Sequence, residues 1–431
     1  MIDLEKNIKI DIEPFGVPNT IVSGGSFFVE NENSIWLMAH DGVYHIKLIK
    51  KRFNNFLSRN STREIIKDNN RNAWVTSDQG LHKINLTDGT VQSKTDVNWN
   101  IGRGLFLEND NTLWVARLRG QVQKMNTSQF EILQKYSPYQ NQPRKNNCAF
   151  VRRDQKTKQL WVGTDAGLLK YDSLSENFLP FEKSNSFSEF DSTNMMHFFE
   201  NDEFILIATP KGIFQLDPQK GIVQHFCTKN NTLPHDNIIF IHQDKKDKSF
   251  WLGTRLDGLI HWDKKTGKTE VFSEKDGLVD NLIYAVYEDE KGYLWLPSNF
   301  GLMQFNKATH EIVTYTTKDG LPNNEFNFFS HKEDEDGTLY MGGLNGITIF
   351  HPKEFSSTVK INAPIQITSV EYLDDQSKTM ISKWKDFKQN KEIILQPSDK
   401  TFQLSFALLD FKDPSSHQFE YKIDGLSLIH I

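Results

Sequence analysis

Two kinds of side chain in this 431-residue sequence sit where they could do chemistry: arginines in short loops and carboxylates in turns. Arg117-Leu118-Arg119 follows Trp114, and Arg255-Leu256-Asp257 follows Trp251. Planar polar side chains of this kind can donate to hydroxyl groups, and sugars combine hydroxyls with faces that stack on exposed aromatics. Arg117, Arg119 and Arg255 are therefore the candidate ligand-binding residues. A longer insert, Tyr136-Ser137-Pro138-Tyr139-Gln140-Asn141-Gln142-Pro143-Arg144, is a further loop to watch. The acidic run Glu333-Asp334-Glu335-Asp336-Gly337 could suggest a calcium loop. The same slot elsewhere reads Glu288-Asp289-Glu290-Lys291-Gly292 and Glu108-Asn109-Asp110-Asn111, an interchange that a solvated hairpin turn tolerates. The 13 histidines show no HExxH or other metal spacing, so His40, His45, His331 and His351 read as solvated or hydrogen-bonded. Cys148 and Cys227 belong to no CxxC and read as buried free thiols. No catalytic set, metal site or cofactor is expected, and no polar group interrupts the predicted core as an active-site carboxylate pair would.

The elements that carry these residues repeat. An apolar strand holds an aromatic, six residues lead to a glycine, and another strand follows. The anchors are Trp36, Trp74, Trp114, Trp161, Leu206, Trp251, Trp295 and Tyr340, spaced 38, 40, 47, 45, 45, 44 and 45 residues apart. Tyr293-Leu294-Trp295-Leu296-Pro297-Ser298-Asn299-Phe300-Gly301-Leu302-Met303 shows one copy as a hairpin around a small polar loop. A strand precedes each anchor and another follows the hairpin. Four strands per roughly 45 residues is the arithmetic of a β-propeller blade, and no 3.6-residue periodicity supports a helical solenoid. Connectors such as Gly277-Leu278-Val279-Asp280-Asn281 and Gly320-Leu321-Pro322-Asn323-Asn324 join successive blades. Leu fits a core position there, and Asn can bond backbone where the next strand starts.

Composition agrees. The formal charge of −6 argues against a nucleic-acid-binding body. Aromatics make up 12% of the chain, which excludes a disordered one. No apolar run reaches membrane-spanning length, and Met1-Ile2-Asp3-Leu4-Glu5-Lys6 lacks the pattern of a signal peptide.

The copies Gln159-Leu160-Trp161-Val162-Gly163-Thr164-Asp165-Ala166-Gly167-Leu168 and Ser249-Phe250-Trp251-Leu252-Gly253-Thr254, with the connector at 320–324, resemble the two-component regulator propeller repeat. Phe411, Pro414, Phe419, Tyr421, Ile423 and Gly425 resemble the triple-tyrosine (Y_Y_Y) domain that follows such propellers, with two of its tyrosines replaced by Phe. The resemblance spans roughly residues 25–425. It implies an all-β chain, a β-propeller of seven blades or eight followed by a truncated Ig-like sandwich. It also implies the periplasmic sensor region of an inner-membrane hybrid two-component protein, or alternatively a cytoplasmic one, that responds to an oligosaccharide. The full-length protein is expected to form a homodimer, with the kinase and membrane segments outside this chain. The expected divisions are 1–60 (first repeat, the end of a preceding propeller), 61–357 (propeller), 358–425 (partial Y_Y_Y domain) and 426–431. That last stretch, Leu426-Ser427-Leu428-Ile429-His430-Ile431, departs from the family and reads as an adapter-derived tail. The alternatives are an interaction scaffold and a glycan-degrading propeller enzyme.

Overall fold

The structure is a computed structural model that describes residues 2–3, 8–9, 27–31, 34–39, 42–47, 52–95, 102–118, 121–138, 147–181, 187–355, 364–374, 377–390, 401–408, 420–421 and 429–430. It falls into two compact units, 1–355 and 356–431.

Seven four-stranded antiparallel sheets make up the first unit's β-propeller. Blades 1 to 6 span 62–94, 102–136, 148–180, 197–226, 238–272 and 287–315, each in simple meander order. The first strand of each blade lies innermost. The second is buried on both faces, as in Asn72–Ser77, Leu160–Thr164 and Phe250–Thr254, because each blade packs between two others. Outer strands such as Val91–Lys94 are mostly exposed.

Blade 7 closes the ring. Phe326–Glu333, Leu339–Gly343 and Gly346–Phe350 supply three strands, and Asn54–Phe56 supplies the fourth. Ile347, Thr348 and Ile349 pair with Phe56, Asn55 and Asn54. One glycine contact shows that the N-terminal strand fills the usual fourth place. In blade 5 a Cβ on Gly258 would lie 2.0 Å from the Phe272 carbonyl oxygen, and in blade 7 a Cβ on Gly346 would lie 2.1 Å from that of Phe56. Both glycines have positive φ (80° and 94°), so the chain turns against the fourth strand where no side chain fits. Phe53, 1% exposed, anchors the strand among Tyr315, Phe350 and Phe355. Blade 7 also bonds blade 1: Asn327 Nδ2 donates to the Thr62 carbonyl at 2.8 Å, and Ser330 Oγ to Thr62 Oγ1 at 3.0 Å.

The ring thus has seven blades, anchored by residues 74 to 340. The expected boundary after residue 60 falls one strand too late, since Asn54–Phe56 belongs to the ring. The copy around Trp36 forms its own three-stranded sheet (Phe27–Asn31, Ser34–Ala39, Gly42–Lys47).

The acidic turns are not merely solvated. In five blades the carboxylate six or seven residues before the tryptophan accepts its indole N–H, as Asp68 does from Trp74 (3.0 Å) and Asp154 from Trp161 (2.9 Å). Glu108, Asp244 and Asp289 do the same for Trp114, Trp251 and Trp295. Trp36 and Glu30 repeat the pair outside the ring. A buried indole N–H needs an acceptor, which fixes an acid in each turn. The blade with Leu206 in the anchor place has Asn201 in its turn. In the connectors Leu233, Leu278 and Leu321 are buried. Asn281 and Asn324 accept from Glu274 N and Thr317 N, so they cap the preceding turn rather than the next strand.

The second unit holds a three-stranded sheet with Ile365–Leu373 between Met380–Ser382 and Phe402–Leu408, the short helix Trp384–Asn390, and the pair Glu420–Tyr421 with Ile429–His430. The helix and the strand at 380–382 were not expected. Of the Y_Y_Y positions, Phe411, Pro414, Phe419, Ile423 and Gly425 lie outside the described residues.

Candidate functional site

The two faces of the ring differ in what they offer a ligand. On one, the turns between first and second strands bond their neighbours around most of the ring. Asn69 Nδ2 donates to Asp110 Oδ1 (3.0 Å), Gln155 N to Glu200 Oε1 (2.8 Å), and Lys245 N to Glu288 Oε2 (2.8 Å). Ion pairs join Arg153 to Glu108 and Lys67 to Asp334. Lys307 Nζ sits between Asp244 (2.6 Å) and Glu288 (2.5 Å). Burial opposes ionisation of Glu288, yet its hydrogen bonds from His242 and Lys307 prevail and hold its carboxyl down at about 2. These charges are satisfied internally.

The centre of the ring holds a cavity of about 650 Å³ lined by the inner strands. Several of its polar groups are paired or neutral. Tyr287 Oη bonds His331 Nδ1 at 2.8 Å, and His197 Nδ1 accepts from Ile241 N at 3.2 Å while stacking on Phe240. Burial lowers the pKa of both histidines, that of His331 to about 3, so both rings are neutral at pH 7. Burial also pushes the Glu64 carboxyl up to about 8, outweighing Arg152 at 3.8 Å.

The opposite face carries the loops between second and third strands and the connectors between blades. Here a cleft of about 290 Å³ opens, lined from six of the seven blades. Arg63 and Arg103 reach it from the starts of inner strands, and Arg255 from a loop of blade 5. Asn147, Asn194 and Asn237 stand just ahead of three further inner strands, where the ring geometry points successive blades at one mouth. Phe328 and Phe329 form its floor and also line the central cavity. They occupy a bulge in the inner strand of blade 7, between the pairs Phe326–Gly343 and His331–Met341. Phe329 sits in the left-handed region (φ 65°), which costs on the order of 1–3 kcal/mol for a bulky residue. Strain of this kind persists where the surroundings enforce it, and here it places two aromatic rings across the mouth.

The arginines marked in the sequence separate. Arg255 lines the cleft, its guanidinium carbon 5.7 Å from the Phe328 ring centre. Arg117 is 5% exposed at the end of its strand and does not line the cleft. Arg119 and the insert from Tyr139 to Arg144 lie outside the described residues. Sequence reasoning missed Arg63, Arg103 and the asparagines because it searched loops for departures from the repeat. The available signal was position: each stands at the start of an inner strand. Both cysteines are buried and neither forms a disulfide, and burial pushes the Cys148 thiol up to about 12. Among the described residues no three or more His, Cys, Asp or Glu side chains gather to hold a metal ion.

No protein-family model matches the chain. It is 25% identical over 281 residues to Histidine kinase P4 of Formosa agariphila, an alignment covering 62% of this chain and 20% of that protein. The chain therefore spans about a fifth of the length of the curated relative it matches. Two crystal structures of the extracellular domain of BT4673 from B. thetaiotaomicron resemble it at 16% identity. One, assigned to a hybrid two-component system, has a TM-score of 0.56 and covers 75% of this chain and 44% of that one. The other, assigned to a one-component system, has a TM-score of 0.55 and covers 88% and 51%. No helix among the described residues is long and apolar enough to cross a membrane. The chain has the fold of these extracellular domains and shares sequence with a histidine kinase.

Proposed function

We propose that this chain is the ligand-sensing region of a bacterial two-component regulator, that it lies in the periplasm, and that it recognises an oligosaccharide without altering it. The observation that carries the reading is the loop-face cleft. Amides, guanidinium groups and two aromatic rings converge there, the combination that hydroxyl-rich rings require. The turn face presents charges already paired to one another.

The C-terminal unit then carries the signal toward a kinase, in a homodimer whose spacing changes on binding. A ligand shifts such an equilibrium only if it binds one state better than the other. The test is a thermal-shift screen of the full chain against oligosaccharides from plant, algal and host polysaccharides. A ligand of the folded state raises Tm with its concentration. The reading expects such a rise for one structural class, and a flat response to every sugar overturns it.

A further inference from the structure

We propose that the loop-face cleft takes an acidic oligosaccharide, with Arg63, Arg103 and Arg255 clamping its carboxylate or sulfate group. This rests on the carbohydrate reading above and adds the ligand's charge.

Several cations elsewhere in the ring pair with carboxylates. Lys67 meets Asp334, Arg153 meets Glu108, and Lys307 meets both Asp244 and Glu288. The three cleft arginines do not. Among the described residues no carboxylate lies within 4.0 Å of any of them. Arg63 Nε is buried with no hydrogen-bond partner, and Arg63 Nη1 reaches only Asn327 Oδ1, at 3.5 Å. Asn237 Oδ1, also in the cleft, is likewise buried and unpartnered. Unmet polar groups of this kind cost free energy until something binds them.

The cleft has one acid to set against three cations. Asp165 is the sole carboxylate among its lining residues, and Asn147 already donates to it from N (3.3 Å) and Nδ2 (3.0 Å). Burial disfavours the charge on Arg103 and the nearby charge on Arg63 disfavours it further, together outweighing the favourable effect of Asp165. An anion between the two relieves both penalties at once. The guanidinium fork suits the planar or tetrahedral oxygens of carboxylates and sulfates. Arg255, exposed and beside the Phe328 ring, sets the clamp at the edge of an aromatic surface on which a sugar ring can stack. The whole chain carries −6, so this positive mouth is a local inversion of field that draws in anions.

The test is calorimetric titration of the full chain with length-matched oligosaccharides. One arm uses uronic-acid oligomers such as oligogalacturonides. A second uses sulfated galactan oligomers, and a third their neutral galactan counterparts. The proposal expects an acidic oligomer to bind at least tenfold more tightly than its neutral counterpart, with affinity falling as salt rises. Whichever acidic arm binds identifies carboxylate or sulfate. Arg103→Gln and Arg255→Gln each weaken that binding tenfold or more. Arg255 is exposed, so its variant keeps the wild-type melting temperature and reports on binding alone. A neutral oligomer preferred over its acidic counterpart overturns the charge assignment and leaves the carbohydrate reading standing. Acidic binding that both variants leave unchanged overturns the assignment to this cleft. Binding by none of the three arms overturns the acidic assignment, and the broader sugar screen above decides the carbohydrate reading.

Discussion

Closure of the ring by Asn54–Phe56 predicts an asymmetry between two glycines. Gly346→Ala and Gly267→Ala each place a Cβ at positive φ (94° and 74°). Each pays about 1–2 kcal/mol for that conformation, partly offset by about 0.4–1 kcal/mol of lost freedom in the unfolded chain. At Gly267 nothing lies within 4 Å of the new atom. At Gly346 it meets the carbonyl oxygens of Phe56 at 2.1 Å and Leu57 at 2.7 Å, both backbone and unable to swing aside. The closing strand must then leave its three pairings with Ile347, Thr348 and Ile349 and loosen Phe53 from its cluster. Re-exposing a phenylalanine costs about 1.5–3 kcal/mol, and each lost ladder hydrogen bond about 0.5–1.5 kcal/mol. Gly346→Ala should therefore destabilise by about 3–5 kcal/mol more than Gly267→Ala, on the order of 5–10 °C in Tm for a ring of this size. Thermal unfolding followed by near-ultraviolet circular dichroism measures the pair. Equal shifts for the two variants would refute closure by the N-terminal strand.

Two further outcomes follow from buried carboxylates. Asp154, fully buried, accepts from Trp161 Nε1, Thr157 Oγ1 and Gln159 N. Asp154→Ala should cost about 3 kcal/mol or more and shift Trp161 fluorescence, and an unchanged Tm would remove the structural role given to the acidic turns. Glu64 has a folded pKa of about 8 against 4.5 in the unfolded chain, so between those values the folded state binds the extra proton. Stability from this group is full below pH 4.5 and lost as pH rises through 8, by as much as about 5 kcal/mol. Glu64→Gln removes that loss, so denaturant midpoints of wild type and variant should diverge from pH 5 to 8. Parallel curves would contradict the burial assigned to Glu64.

The repeat was legible because the anchors and their glycines are dictated by one local geometry, copied from blade to blade. Spacing alone left seven and eight blades open. Closure was not legible, because Asn54-Asn55-Phe56 has no alternation of its own and gains its place from a partner almost the whole ring away. The acid–tryptophan pairing was present in the sequence as an offset of six or seven residues, Asp68 to Trp74 and Asp154 to Trp161. It was read as a solvated turn because the acids around it interchange freely. The cleft was the least legible part. Arg255 stood out because its loop is one residue longer than the repeat. Arg63 and Arg103 sit in ordinary strands, and only the convergence of inner strands on an axis brings them to one mouth.

Hydrogen–deuterium exchange of the full chain, with and without its tightest-binding oligosaccharide, tests the central claim directly. The account predicts protection on binding at 102–104, 147–149, 194–196, 237 and 327–330, with the turn face at 288–291 and 335–338 unchanged. Protection confined to the turn face, or absent from the loop-face mouth, would contradict it.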